Sequence, residues 1–344
     1  MFITNNNVIR NLIIGSTFLG TGGGGSPEDA KKIYRTIQKT TRRIELQSIH
    51  NFQSDDLFIT AFSVGSLAKK SNPTGPIRAG VQLLSKHIGK KIAGIIPVEI
   101  GAQAVAAACY LATILDVPLI DADFVGGRST PEVFLETITL FNLSRTPAVV
   151  INNQKEAAIL LSATTPLQQE KFFRDFSVMS GGQAYVIGYP LTKKILMTSI
   201  EHGTVSDAIT IGECFRTKKE QKLYDTFHMK DIFLGRITAI EQKSTRGFSE
   251  IILTIKEKGV IASLYIKNEN LLCWVNKKLV VSCPDLIMLL DAAGMPIYNS
   301  SLKKGQVVRI VAMLARPLWR TKKGLRLFNP KTFGFSMEAK LLTD

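Results

Sequence analysis

The chain has 344 residues, 45% hydrophobic and 21% charged, a balance that excludes collagenous, coiled-coil and mainly disordered chains. Its formal net charge of +15 is segregated: residues 301–344 carry ten Lys or Arg against two acids, whereas residues 92–150 carry six acids against two Arg. A basic surface draws polyanions without selecting one, so charge alone sets no function. At roughly 150 residues per domain the length predicts about two domains. Cys109, Cys214, Cys273 and Cys283 are scattered and form no C-x-x-C pair, which argues against a disulfide framework and a Cys-rich zinc site. No apolar stretch reaches the ~18 residues of a membrane span. The short run at residues 12–15 breaks at Ser16 and Thr17, unlike a cleaved leader. The expected setting is the cytoplasm, with reduced thiols and no membrane partner.

In chain order, Asn7 is placed to cap a helix over residues 8–18, followed by a glycine-rich loop at residues 20–25. Ser26-Pro27-Glu28-Asp29 is a helix start, with Ser as N-cap, Pro at the first position and acids in the first turn. Short strands near 43–49 and 57–62 and a helix over 77–87 come next. Residues 92–151 read most clearly: strand 92–98, an Ala-rich helix 102–115, strand 117–120, a helix 131–141 capped by Thr130, and strand 148–151. This β-α-β-α-β order predicts parallel strands with right-handed crossovers. Helices follow over 168–179 and 206–213. Strands are then expected at 232–240, 249–255, 260–266, 279–283 and 306–314, with turns at Arg246-Gly247, Lys258-Gly259 and Lys304-Gly305. The fold class is therefore α/β: an amino-terminal α/β domain with parallel strands (residues 1–166) and a β-rich carboxyl-terminal domain entered through a helical connection (residues 167–344).

Ligands of such sheets bind beyond the carboxyl ends of the strands, where Glu99, Asp121 and Asp123 all fall. That cluster suits a divalent cation, or a general base beside a second acid that raises its pKa. The alternative is a strand terminus that caps a helix. The loop satisfies G-x-G-x-x-G, but Glu28 and Asp29 occupy the helix start where a pyrophosphate would sit. Gly22, Gly23, Gly24 and Gly25 therefore indicate a tight turn or a backbone that approaches a ligand. No histidine pair has metal-binding spacing; His202, before Gly203, is the one histidine placed to assist the acids. Near the end, Trp319, Phe328 and Phe333 interleave with Arg and Lys. Single-strand binders use that mixture, but a half-exposed β edge guarded by lysines explains it as well, so nucleic acid is not favoured as a partner.

Five segments recur in one known order: Leu19-Gly20-Thr21-Gly22-Gly23-Gly24-Gly25; Val98-Glu99-Ile100-Gly101; Val117-Pro118-Leu119-Ile120-Asp121-Ala122-Asp123 with Gly126-Gly127-Arg128; Pro284-Asp285-Leu286-Ile287; and Trp319-Arg320-Thr321 leading to Asn329-Pro330-Lys331-Thr332-Phe333-Gly334-Phe335. In these the chain resembles the S-methyl-thiohydantoin desulfurase family, which is related to hydantoinase-type proteins. The resemblance implies a hydrolase-like enzyme acting on a small (thio)hydantoin or related cyclic amide. Asp121, Asp123 and Glu99 would activate water, while Arg128 and the backbone of Gly22, Gly23, Gly24 and Gly25 would hold the ring. A divalent metal (Zn or Mn) on Asp121, Asp123 and His202 would strengthen that activation. The alternative is a non-catalytic small-molecule-binding subunit, in a homo-oligomer or beside a hydantoinase- or oxoprolinase-type partner. The chain departs from the family pattern at Ala102 and Gln103, and at Asn329-Pro330-Lys331.

Overall fold

The structure, a computed structural model, describes residues 1–3, 5–40, 42–65, 73–245 and 248–343; the expected Arg246-Gly247 turn lies outside them. The described residues form two seven-stranded sheets and a two-stranded antiparallel ribbon, Ala122–Asp123 with Glu201–His202. The first runs, across the sheet, Leu46–Gln47, Leu119–Ile120, Ile92–Ile95, Leu57–Gly65, Gln183–Thr192, Ala148–Ile151 and Ala157–Leu160. Its first four strands are parallel and the remaining pairings antiparallel. The α/β domain with parallel strands is thus present.

Two details of the anticipated β-α-β-α-β run differ. Ala148–Ile151 lies between antiparallel neighbours, because the unanticipated strand Gln183–Thr192 separates it from Leu57–Gly65. Gly188 and Pro190 disguise that strand in the sequence, since both residues weaken a strand reading; Tyr189 takes φ 59° there. The anticipated helix 131–141 is helical only at Thr137–Leu140. Its interior donors are engaged elsewhere, Leu135 N–H to the Glu132 carbonyl and Thr137 N–H to the Phe124 carbonyl, so the i−4 carbonyls are not their acceptors.

Helices cover the sheet as the sequence patterns require. Ser26 Oγ accepts from the Glu28 and Asp29 amides and starts Pro27–Gln38. The Ala102–Leu115 helix buries twelve of its fourteen residues, which its alanines permit by letting backbones approach closely. Asn6–Leu19, capped by Asn5 rather than Asn7, crosses Thr204–Arg216 at two glycines. A Cβ on Gly15 would overlap the Ala208 carbonyl, and one on Gly212 the Asn11 carbonyl. Among the described residues no helix is long and apolar enough to cross a membrane, and all four cysteines are free and buried.

The second sheet is antiparallel throughout: Lys278–Ser282, Glu269–Val275, Val260–Lys267, Phe248–Glu257, Lys230–Thr245, Val307–Met313 and Leu286–Leu290. The β-rich carboxyl-terminal domain is therefore observed, with two strands beyond those expected, Glu269–Val275 and Leu286–Leu290. The aromatic-basic tail is not a β edge. It forms the short turns Pro317–Arg320, Lys322–Leu327 and Pro330–Phe333, and buries Trp319 and Phe328 completely. Trp319 Nε1 donates to the Val125 carbonyl (2.7 Å), and Arg128 stacks on the Phe328 ring. The tail's aromatic rings thus fasten the end of the chain onto the amino-terminal half.

Candidate active site at the carboxyl edge of the first sheet

A pocket opens beyond the carboxyl end of Leu57–Gly65, between the glycine loop and the second sheet. Gly24, Gly25, Glu99 and Thr130 reach it from the amino-terminal half, and Asn268 and Glu269 from the carboxyl-terminal half. The loop is shaped by close approach. A Cβ on Gly23 would overlap the Glu269 carboxylate, and one on Gly24 would overlap Gly101 while needing φ 67°. The loop also has a structural task at the Ala102–Leu115 helix, whose N-cap Gly101 offers no side chain. The Gly24 carbonyl accepts from the Gln103 amide (3.1 Å) in place of such a cap. Across the interface, the Thr21 and Gly22 carbonyls accept from the Asn270 and Asn299 amides.

Glu99 follows strand Ile92–Ile95, and its Oε2 accepts from the Thr130 amide at 3.0 Å. Burial pushes its carboxyl up to about 7 against the opposing pull of Ser129, Thr130, Arg128 and Arg174. Glu269 opens strand Glu269–Val275, just after Asn268, which turns the chain at φ 58°. Asn268 is pinned there, since its Oδ1 accepts from the Ser249 amide. Glu269 Oε1 accepts from the Gly24 amide and the Ser129 hydroxyl, both at 3.1 Å. Burial, helped by the Glu99 charge, pushes its carboxyl up to about 8. The pocket therefore joins two carboxyls raised toward neutral pH, the range in which general acid-base chemistry works.

The other sequence candidates sit apart from this pocket's lining. Asp121 Oδ1 accepts from the Val205 and Ser206 amides (both 3.0 Å) and Oδ2 from the Ser206 hydroxyl (2.5 Å), so it caps Thr204–Arg216. Asp123 is fully buried; its two oxygens accept from the Val125 (2.9 Å) and Gly127 (2.8 Å) amides. Burial raises its carboxyl to about 7. Arg128 donates to the carbonyls of Ser129, Pro284 and Asp285, tying the two halves together. Burial lowers its guanidinium to about 10. His202 is exposed and lies 5.6 Å, ring to ring, from His50.

For a metal, the donor set Asp121, Asp123 and His202 does not fit, because the carboxylate oxygens already accept from backbone and hydroxyl donors. Among the described residues no group of three or more His, Cys, Asp or Glu is arranged to hold one. The sequence reading missed Glu269. Its only signal was an acid inside an apolar β run, Glu269-Asn270-Leu271-Leu272-Cys273, where a charge is costly unless a partner meets it.

Two family models together span nearly the whole chain: "S-Me-THD-like, N-terminal domain" over residues 7–162 and "S-Me-THD-like, C-terminal domain" over residues 164–342. Among solved structures, an X-ray crystal structure of a protein from Chromobacterium violaceum is similar, with TM-score 0.82, 18% identity and 98% of each chain covered. At that identity the likeness shows a shared fold. No curated protein matches the chain.

Proposed function

This chain belongs to the S-Me-THD-like family, and we propose that it hydrolyses a small thiohydantoin-type ring in the pocket between its two halves. The observation that carries this reading is Glu99: a carboxyl raised to about 7 by burial, at the carboxyl edge of the sheet, beside the glycine loop. A general base works best when its pKa lies near the operating pH. In an S-alkylated ring, water adds to the carbon that bears sulfur. One of its protons passes to the Glu99 carboxylate as the C–O bond forms. The C–S bond then breaks, the thiol leaves with a proton, and the ring carbon becomes a carbonyl beside a ring N–H. The Thr130 amide holds Glu99 in position, and the residues 24–25 loop forms one wall against the ring. In this reading Asp121, Asp123 and Arg128 position the site's supports and do not meet the substrate.

Loss of the ring's ultraviolet absorbance, followed over a panel of hydantoins, thiohydantoins and S-methylated thiohydantoins, tests the reading. Turnover of at least one sulfur-bearing ring is expected. The Glu99→Gln variant should lose about 100- to 10,000-fold in rate, the range that a general base supplies. Flat traces across the panel with folded protein would overturn it in favour of a ligand-binding subunit, which ring-induced thermal stabilisation without turnover would reveal.

A further inference from the structure

We infer that Glu269 is the second catalytic carboxyl of this pocket, brought by the carboxyl-terminal half so that it and Glu99 work as a pair with a single proton between them. The inference rests on the ring-hydrolysis reading and adds to it the group that supplies protons.

Three observations carry it. Glu269 is only 3% exposed, yet it lines the pocket. Its Oε1 is met by the Gly24 amide and the Ser129 hydroxyl, whereas its Oε2 is buried with no hydrogen-bond partner among the described residues. A buried carboxylate oxygen without a donor is costly, so either a proton or a bound group must satisfy it. Ser129 also interacts with the Glu99 carboxyl. One hydroxyl has one proton to donate, so it serves one carboxylate of the two at a time. Two carboxyls lining one pocket, the buried Glu269 raised in part by the charge of Glu99, do not both ionise at neutral pH.

The charged neighbours leave that outcome intact. Glu132 and Glu136 also line the pocket, but Glu132 is paired with Lys267 and Glu136 with Arg145. Arg174 is paired with Glu170. Arg128 draws both carboxyls down, less than burial raises them, and Tyr298 on the far wall is a neutral phenol.

The proton count closes over one turnover. Glu99 begins ionised and Glu269 begins protonated. As water adds, Glu99 takes a water proton and Glu269 gives its own to the ring nitrogen, leaving a tetrahedral carbon that carries hydroxyl and thioether. In the collapse, the Glu269 carboxylate takes the hydroxyl proton as the carbonyl forms. Glu99 returns its proton to the departing sulfur, and both groups end as they began. No oxidant or other co-reactant is needed.

The test compares wild type, Glu269→Gln, Glu269→Asp and Glu99→Gln on an S-methylated thiohydantoin across pH. Wild type should give a bell-shaped kcat/KM profile, falling in acid as the base is protonated and in alkali as the acid is lost. Glu269→Gln should lose about 100-fold or more in kcat, and Glu269→Asp should recover part of it. In parallel, NMR of wild-type protein carrying 13C-labelled glutamate carboxyls should show two coupled carboxyls titrating well above the ordinary range. Glu269→Gln should remove one of them and return the other toward that range. A Glu269→Gln enzyme with wild-type rate and pH profile would overturn the inference while leaving ring hydrolysis standing. If no ring is turned over, the hydrolysis reading fails by itself, and the NMR titration still decides the proton-sharing pair. Two carboxyls titrating independently near their usual value would overturn that pair, even where the Gln variant fails to fold.

Discussion

Asp121 and Asp123 stand two residues apart at the end of a buried strand, and both are consumed by backbone donors. Asp121 closes the first turn of Thr204–Arg216, where three donors meet its two oxygens. Gly203 is the N-cap residue and has no side chain, so Asp121 does a cap's work from the end of a distant strand. Losing a capping side chain costs about 1 kcal/mol, so Asp121→Ala should lower the thermal midpoint by a few degrees while leaving ring turnover within about twofold. A rate loss above about 100-fold in folded Asp121→Ala would restore it to the chemistry. The sequence placed Glu99, Asp121 and Asp123 at one sheet edge. Which of them faces a cavity depends on side-chain direction and on what packs above the edge, and neither is a property of spacing.

The Ala102–Leu115 helix was legible because a long Ala-rich stretch after a buried strand has few other solutions. The crossing of Asn6–Leu19 and Thr204–Arg216 was not, since its contact points are single glycines about 200 residues apart. At Gly15 and Gly212 the partner's carbonyl already occupies the space of a Cβ. Gly212→Leu should therefore force the two helices apart and destabilise the fold by about 3 kcal/mol or more, at or above the usual cost of overpacking. Chemical denaturation measures this directly; a change below about 0.5 kcal/mol, the range of ordinary surface substitutions, would mean that the crossing is looser than described. The segment 131–141 carries a related lesson. Its composition suits a helix, but the distant Glu170 carboxylate takes the Val133 amide and the Phe124 carbonyl takes the Thr137 amide.

At the scale of the molecule, one buried apolar cluster runs through both halves, from Leu12 and Leu19 to Leu271 and Trp319. Asp285, fully buried, pairs with Arg320, and Asp207 pairs with Arg316, so part of the tail's basic charge answers acids elsewhere in the fold. Glu99, Asp123, Glu136 and Glu269 are all pushed up by burial, to about 7 or 8. A carboxyl raised on folding means that the folded chain binds more protons than the unfolded one, so stability falls as pH rises. That contribution is complete below the ordinary carboxylate range and is lost as pH climbs through 7 to 8. The thermal midpoint should accordingly decline between about pH 5 and about pH 9, and the Glu99→Gln, Glu269→Gln double variant should flatten the decline. A midpoint that rises over that interval would show these groups ionised in the folded state.

By itself the sequence determined the α/β-then-β order, the helix starts, the glycine loop and the family. Those features are written locally, in apolar periodicity, capping residues and short ordered motifs. Tertiary structure alone decided that Gln183–Thr192 enters the first sheet, that Trp319 and Phe328 of the tail are buried, and that Glu269 and Glu99 line one pocket. Each of these depends on a contact between residues far apart in the chain. Burial then sets the protonation of both carboxyls, because the cost of a charge depends on what surrounds it rather than on its neighbours in sequence.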